Sequence, residues 1–191
     1  MSLINVKYNK IKSLIIGGGK IAYRKAKNIS SNGGEIVVVS TEFIESFNEM
    51  RNLENVKLIR DEFSDKYLDG KTLVICATDD TSLNKLISEK CNARGILVNN
   101  VSNKELSSFY NVSVYESKRL EIGVSTKGLS PGISIAIKDL LGDMIGERVE
   151  LLIEEYSELK EKIKMDSPDN KEELLEELSK DYYRKIIGGI K

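Results

Sequence analysis

Apolar residues in the first hundred positions fall into short continuous runs, separated by polar or glycine-rich segments. Continuous rather than alternating apolar runs are typical of parallel strands buried on both faces. The predicted strands lie at 11–16, 35–40, 56–60, 72–78 and 95–101. Apolar residues at helical spacing predict helices at about 21–29, 43–50 and 82–91. This alternation predicts an α/β fold, a Rossmann-like parallel sheet.

The pattern changes after residue 110. Apolar and polar residues alternate between Val112 and Val124, which predicts a half-exposed β-hairpin. One apolar face then continues from about 132 to 164, a break is expected at 166–170, and an acidic amphipathic helix at 171–187. The sequence thus predicts a parallel-sheet domain at 1–111, a dimerisation hairpin and helix at 112–147, and a helical C-terminal region at 148–191. The exposed apolar surface suits a homodimer, although packing back onto the sheet would use the same residues.

Composition narrows the class of protein. The 191 residues carry a net charge of −1, which favours neither a nucleic-acid binder nor a polybasic membrane protein. No apolar run is long enough to span a bilayer and no signal peptide is recognisable, so a cytoplasmic location is expected. Cys76 and Cys91 lie in apolar patterns without C-x-x-C spacing, and we expect reduced packing residues.

Three glycines follow the first predicted strand. Gly17, Gly19 and Ala22 fit the G-x-G-x-x-G/A spacing, in which the glycines permit a tight turn and close approach of a pyrophosphate. The motif therefore predicts a dinucleotide site, the alternative being a strand-to-helix turn without a cofactor. Ser40, Thr41 or Glu42, after the second strand, could each reach a ribose hydroxyl. No clear acidic or arginine signal there separates NAD from NADP.

Polar residues also lie at the carboxyl ends of the fourth and fifth predicted strands. Asp79 or Asp80 either caps the next helix or lies beside the cofactor, because ligands of open α/β sheets bind at the carboxyl ends of strands. Four further residues, Asn99, Asn100, Ser102 and Asn103, indicate either a site or an ordinary turn. The chain contains no histidine, so proton transfer would fall to Asp, Glu, Lys, Tyr or water.

Several segments together resemble one family. They are Ile16 to Ala26, Ala77 to Asp80 with Asn84, Val98-Asn99, Phe109, and Ser125 to Pro131. Their order and spacing over residues 10 to about 140 resemble the precorrin-2 dehydrogenase family, the siroheme-synthase module that acts on a tetrapyrrole. The resemblance implies NAD-dependent oxidation of precorrin-2 to sirohydrochlorin, and in some members insertion of ferrous iron.

The resemblance also implies roles for particular residues. Gly17, Gly18, Gly19, Lys20 and Ile21 would hold the pyrophosphate, Ser40, Thr41 and Glu42 the adenosine side, and Thr78, Asp79 and Asn99 the rest of the cofactor. Peripheral carboxylates of the substrate would need cations. Lys104, Lys118, Arg119 and Lys127, together with Ser130, are the candidates, against the alternative of solvated surface charge. Ser130 also fits a helix N-cap before Pro131.

One position departs from the family pattern. Ser102 stands where family members often carry an aspartate that handles protons or metal. A serine hydroxyl is a poor general base without an activating partner, so Asp79 or a water would accept the proton instead. Asp79 and Ser102 are therefore the catalytic candidates, no metal ligand is assigned, and iron insertion is more doubtful than dehydrogenation.

A competing class shares the glycine loop and the sheet. A non-catalytic NAD(H)-binding regulatory or redox-sensing module would bind the nucleotide but leave the tetrapyrrole unchanged. The enzyme is favoured because the segments Ala77 to Asp80 and Ser125 to Pro131 lie outside the nucleotide loop and still match the family.

Overall fold

Five parallel strands form one sheet in the computed structural model, which describes residues 3–166 and 169–188. The strands are β1 (Lys12–Ile16), β2 (Glu35–Ser40), β3 (Val56–Arg60), β4 (Leu73–Cys76) and β5 (Leu97–Asn100). Their order is β3-β2-β1-β4-β5, and every neighbouring pair is parallel. The chain adds β2 and β3 on one side of β1 and then β4 and β5 on the other, so the strand order reverses between β1 and β4. Folds of this kind bind ligands at this position. The predicted α/β fold is confirmed.

Two helices cover opposite faces of this sheet. They are α1 (Lys20–Ser31) and α2 (Thr81–Ala93). Successive strand residues point to opposite faces, so Ile15 packs in one cluster with Ala26 of α1, and Leu14 packs in another with Ile87 of α2. Cys76 and Cys91 are buried free thiols in the second cluster. Burial raises the pKa of Cys76 to about 12 and that of Cys91 to about 11, so both thiols stay protonated at neutral pH.

Short 3-10 helices precede, connect or follow the strands of this sheet. They lie at Tyr8–Lys10, Glu45–Met50, Asp65–Leu68 and Lys104–Leu106. The predicted helix at 43–50 is therefore shorter and tighter than expected. The reason is that the Ile44 N–H donates to the Gly18 carbonyl at 2.9 Å, which keeps Ile44 extended and leaves six residues for the helix. Phe47 and Met50 still supply its buried side.

A second compact unit begins at Asn111. It contains β6 (Ser113–Glu116), β7 (Glu121–Val124), α3 (Pro131–Asp166) and α4 (Lys171–Gly188). The predicted hairpin, long helix and last helix are all present, and β6 pairs with β7 in antiparallel register. The predicted break at 166–170 lies partly outside the described residues.

The structure divides once, after Tyr110. The expected boundary between the dimerisation region and the C-terminal region, at 147/148, lies inside α3, so both parts share one helix. Within the described ranges no helix is long and apolar enough to cross a membrane.

Candidate nucleotide-binding site

The first two glycines of the loop after β1 are packed against protein backbone. Gly17 has φ +124°, and a Cβ there would lie 2.2 Å from the Ala77 carbonyl oxygen. A Cβ on Gly18 would lie 1.9 Å from the Glu42 carbonyl oxygen. No side chain fits at either position without moving the chain that follows β2 or β4. The close contact of Gly18 is not part of the spacing motif and could not be predicted from it.

Gly19 differs from its neighbours because its side of the loop is open. A Cβ at Gly19 would meet no described protein atom within 4 Å. Gly19 is also the N-cap of α1, and neither a capping side chain nor an acidic residue of the first turn occupies the N–H groups there. These N–H groups carry the positive end of the helix dipole, so the geometry fits an anionic group such as a diphosphate. The buried Ala22 provides the close helix packing that the motif predicted.

A cleft of about 630 Å³ opens beside this loop at the carboxyl ends of the strands. It is lined by Ile16, Gly17, Gly18, Gly19, Val39, Ser40, Thr41, Glu42, Phe43, Ile44, Asp61, Glu62, Phe63, Ala77, Thr78, Asp79, Asp80 and Leu83. The glycine loop, the adenosine-side candidates and the Thr78-Asp79 pair are thus brought together. Asp61, Glu62 and Phe63 also line it, which the sequence reasoning missed.

The two aspartates after β4 have different partners. Asp80 is the N-cap of α2, and its Oδ1 accepts hydrogen bonds from the N–H groups of Ser82 at 2.9 Å and Leu83 at 3.0 Å. Asp79 lines the cleft, and its carboxylate makes no hydrogen bond or ion pair within the described residues. Asp80 therefore fills the capping role that the sequence left open between the two. Asp79 is left facing the site.

The buried side chain of Asn84 connects the ends of β4 and β5. Its Oδ1 accepts from the Thr78 N–H at 3.2 Å and from the Thr78 hydroxyl at 2.8 Å. Its Nδ2 donates to the Thr78 carbonyl at 2.8 Å and to the Ser102 hydroxyl at 3.1 Å. With two bonds at each end, the amide has used its hydrogen-bonding capacity and holds Thr78 in the cleft wall.

The polar residues at the end of β5 and just after it form a hydrogen-bonded turn. Asn100 Oδ1 accepts from the Ser102 N–H at 3.0 Å, the Ser102 hydroxyl at 2.8 Å and the Asn103 N–H at 3.0 Å. Asn99 donates from Nδ2 to the Phe109 carbonyl at 3.2 Å. Neither Asn99 nor Ser102 lines the cleft. These contacts match the turn that was one of the two sequence interpretations, and the functional roles of Asn99 and Ser102 stay predictions.

The adenosine-side candidates lie at the end of β2 and line the same cleft. Ser40 donates from its hydroxyl to the Glu42 carbonyl at 2.7 Å, and the exposed Thr41 and Glu42 follow. Five carboxylates line the cleft, from Glu42, Asp61, Glu62, Asp79 and Asp80. None of the lining residues, all within the described part of the chain, is a lysine or arginine.

The remaining candidates are not among the residues that line the cleft. Lys20 and Ile21 form the exposed first turn of α1, and Lys104 begins the last 3-10 helix of the first unit. Lys118, Arg119, Lys127 and Ser130 belong to the second unit. There Arg119 pairs with Glu154, Lys127 has φ +53°, and the Ser130 hydroxyl accepts from the Ile133 N–H at 3.4 Å as an N-cap. Their roles toward a substrate stay predictions.

Comparison with known proteins agrees with this geometry. Residues 4–113 match the family model described as "Putative NAD(P)-binding", and the chain belongs to this NAD(P)-binding family. It is 30% identical over 143 residues to the siroheme synthase of Photobacterium profundum, covering 75% of this chain and 29% of that protein. It is 34% identical over 140 residues to that of Methylobacillus flagellatus, covering 73% and 28%. The chain thus spans about a third of the length of these relatives.

A solved structure has the same fold. The chain described as SirC, precorrin-2 dehydrogenase, superimposes with a TM-score of 0.78 at 24% sequence identity, covering 100% of this chain and 95% of that one. The resemblance to siroheme synthase, predicted from separate motifs along the sequence, is confirmed by these matches.

Proposed function

We propose that this chain is a dehydrogenase that oxidises precorrin-2 to sirohydrochlorin with NAD. The observation that carries the proposal is the cleft in which the open Gly19, at the N-terminus of α1, and the unpartnered carboxylate of Asp79 line one volume. A nucleotide-binding loop and a proton acceptor in one cleft are what a dehydrogenase needs. The names of the related proteins suggest the substrate.

The glycine loop and the start of α1 would hold the cofactor. Gly17 and Gly18 set the path of the loop, Gly19 leaves room for a diphosphate, and the N–H groups at Lys20 and Ile21 lie in the first helical turn. When bound, the nicotinamide supplies the hydride acceptor. Thr78, held by Asn84, would form the wall near its reactive end.

Asp79 is the better of the two catalytic candidates for accepting a proton. The Ser102 hydroxyl already donates to Asn100 and accepts from Asn84, so it has no activating base among its described partners. The carboxylate of Asp79 can accept a proton directly or through one water. Ser102 then acts as a positioning residue, because its contact with Asn84 supports Thr78 beside Asp79.

The charge of the cleft favours NAD over NADP. A 2′-phosphate adds negative charge, and the cleft lining offers it five carboxylates and no cation. Arg60 lies opposite Ser40 in the pairing of β3 with β2, but it is not part of the cleft lining. We further assign the protein to the cytoplasm, the location expected from the sequence.

The second unit would supply dimer contacts and cations for the substrate. Leu129 is 88% exposed, and Ile133, Leu140 and Met144 on α3 are each more than half exposed. Exposed apolar side chains that gather in one region often mark an interface, and we assign these to a homodimer. Lys104, Lys118, Arg119, Lys127 and Ser130 are the proposed contacts of the substrate carboxylates, and of these Arg119 pairs with Glu154.

The test is oxygen-free incubation of the purified protein with NAD and precorrin-2. We expect NADH and sirohydrochlorin to appear together, and Asp79→Asn to lower the rate by about 100-fold, the usual range for one acid or base. Asn92→Ala, a change at an exposed position of α2, is the control. Binding of NAD with no change in precorrin-2 absorbance would instead favour the non-catalytic module.

A further inference from the structure

Asp61 lies directly beside the end of β2. Its N–H donates to the Ser40 carbonyl at 3.2 Å, which extends the pairing of β3 with β2 by one residue. Both Asp61 and Ser40 line the cleft. Dinucleotide folds commonly hold the adenosine ribose with an acidic residue at the end of the second strand. In this chain the strand ends in a serine, and Asp61 brings a carboxylate to the same edge.

Three groups fix the orientation of that carboxylate. Its Oδ2 accepts from the Tyr67 hydroxyl at 2.5 Å and from Lys66 Nζ at 3.3 Å. Its Oδ1 accepts from the Glu62 N–H at 2.9 Å. A carboxylate offers about four acceptor positions, so one remains, on Oδ1. The hydrogen bond from Tyr67, with those from Lys66 and Glu62, holds the pKa of Asp61 below its ordinary value, and the group is therefore charged at neutral pH.

Glu42 is the other acidic residue near the end of β2, and it differs in this respect. Its side chain has no hydrogen bond or ion pair within the described residues, and it is exposed. Ordering a free glutamate on a ligand costs rotamer entropy, whereas Asp61 is already ordered by its neighbours. Of the two carboxylates, Asp61 is thus better prepared for recognition.

We propose that Asp61, oriented by Tyr67 and Lys66, selects NAD over NADP by accepting a hydrogen bond from an adenosine ribose hydroxyl and repelling a 2′-phosphate. The inference rests on the proposed NAD site and names the residue that sets its specificity. Lys66 should increase the effect of replacing Asp61 on the binding of NADP. With the Asp61 charge removed, the ammonium of Lys66 loses its anionic partner and becomes available to a phosphate.

The experiment measures the dissociation constants of NADH and NADPH by nucleotide fluorescence for the wild type and three variants. Asp61→Asn keeps the shape and removes the charge, Tyr67→Phe removes one orienting hydroxyl, and Glu62→Gln removes a neighbouring charge from the same cleft. Circular dichroism checks that each variant is folded.

We expect the wild type to bind NADH more tightly than NADPH. Asp61→Asn should lower the ratio of the NADPH Kd to the NADH Kd by about tenfold or more, through weaker NADH and stronger NADPH binding. Tyr67→Phe should lower the ratio by a smaller factor, and Glu62→Gln by less than Asp61→Asn. A change in the ratio for Tyr67→Phe separates orientation of Asp61 from a purely structural role, which would weaken both nucleotides equally.

Two results would overturn the assignment of Asp61 while leaving the proposed function standing. One is tight NADH binding with a ratio that Asp61→Asn does not change, and the other is an equal effect of Glu62→Gln. A wild type that prefers NADPH overturns both this inference and the choice of NAD. A folded wild type that binds neither nucleotide overturns the proposed function itself.

Discussion

Asn84 holds Thr78 in the cleft wall through three hydrogen bonds, accepting from its N–H and hydroxyl and donating to its carbonyl. The amide is fully buried, so no solvent replaces these bonds if the side chain is removed. The end of β4, and with it Asp79, therefore depends on one residue of α2. Neither Asn84 nor its partner Ser102 touches the cleft itself.

Asn84→Ala should consequently lower the free energy of unfolding by about 2 kcal/mol or more, because each buried polar group left without a partner costs ~1–3 kcal/mol. Urea denaturation measures the change. Asn92→Ala on the same helix is the matched control, since Asn92 is exposed, and we expect less than about 0.5 kcal/mol there. Equal losses at the two positions would show that the Thr78 contacts contribute little.

Gly19→Val should abolish nucleotide binding and leave the protein folded. The new side chain would meet no described protein atom at its Cβ, but it would occupy the open side of the loop where the diphosphate is expected. Calorimetric titration with NADH should show a loss of about 100-fold or more in affinity. Circular dichroism and the variant Gly188→Val, at another open glycine, serve as controls.

Gly17→Ala, unlike Gly19→Val, should lower the stability of the fold itself. Its φ of +124° is strained for any residue with a Cβ, and that Cβ would overlap the Ala77 carbonyl. We expect a loss of about 2 kcal/mol or more in the free energy of unfolding. A Gly17→Ala protein as stable as the wild type would contradict the described path of the loop.

Tyr115 of β6 packs on α3 at two glycines. A Cβ on Gly142 would lie 2.3 Å from Tyr115 Cδ2, and a Cβ on Gly146 would lie 2.2 Å from the Tyr115 hydroxyl oxygen. Gly146→Ala should therefore destabilise the second unit, although alanine is the better helix former by about 1 kcal/mol. Gly132→Ala, near the start of α3 with open space around it, should be neutral or stabilising. Thermal unfolding of both variants measures the difference, and stabilisation by both would exclude the Tyr115 contact.

The parts of the fold that depend on local pattern could be predicted from the sequence. The bounds of β2 and β3 agree with the predicted strands, and Gly17, Gly19 and Ala22 have the roles that their spacing indicated. Contacts between distant segments could not be predicted in this way. The bond from Ile44 to Gly18 shortened the helix expected at 43–50, and the position of Asp61 beside Ser40 depends on the pairing of β3 with β2.

Ser102→Asp tests the position where the chain departs from its family. An aspartate could still accept from Asn84 Nδ2, but it could not donate to Asn100 Oδ1, so a small loss of stability is expected. Iron-dependent conversion of sirohydrochlorin should rise more than the rate of dehydrogenation. Dehydrogenation already has the carboxylate of Asp79, whereas iron insertion would gain a fixed anionic group at position 102. The two rates are followed separately by absorbance with added ferrous iron. If both rates stay unchanged while Asp79→Ala abolishes dehydrogenation, Asp79 is the working carboxylate and position 102 has no part in the chemistry.

The yield of NADH per molecule of precorrin-2 tests the proposed function most directly. Removal of one hydride and one proton from the substrate reduces one NAD, so oxygen-free titration of the protein and excess NAD with precorrin-2 should give equimolar NADH and sirohydrochlorin. Gly19→Val should give neither product under the same conditions. A folded wild-type protein that binds NAD yet forms no NADH as precorrin-2 is added would contradict the account.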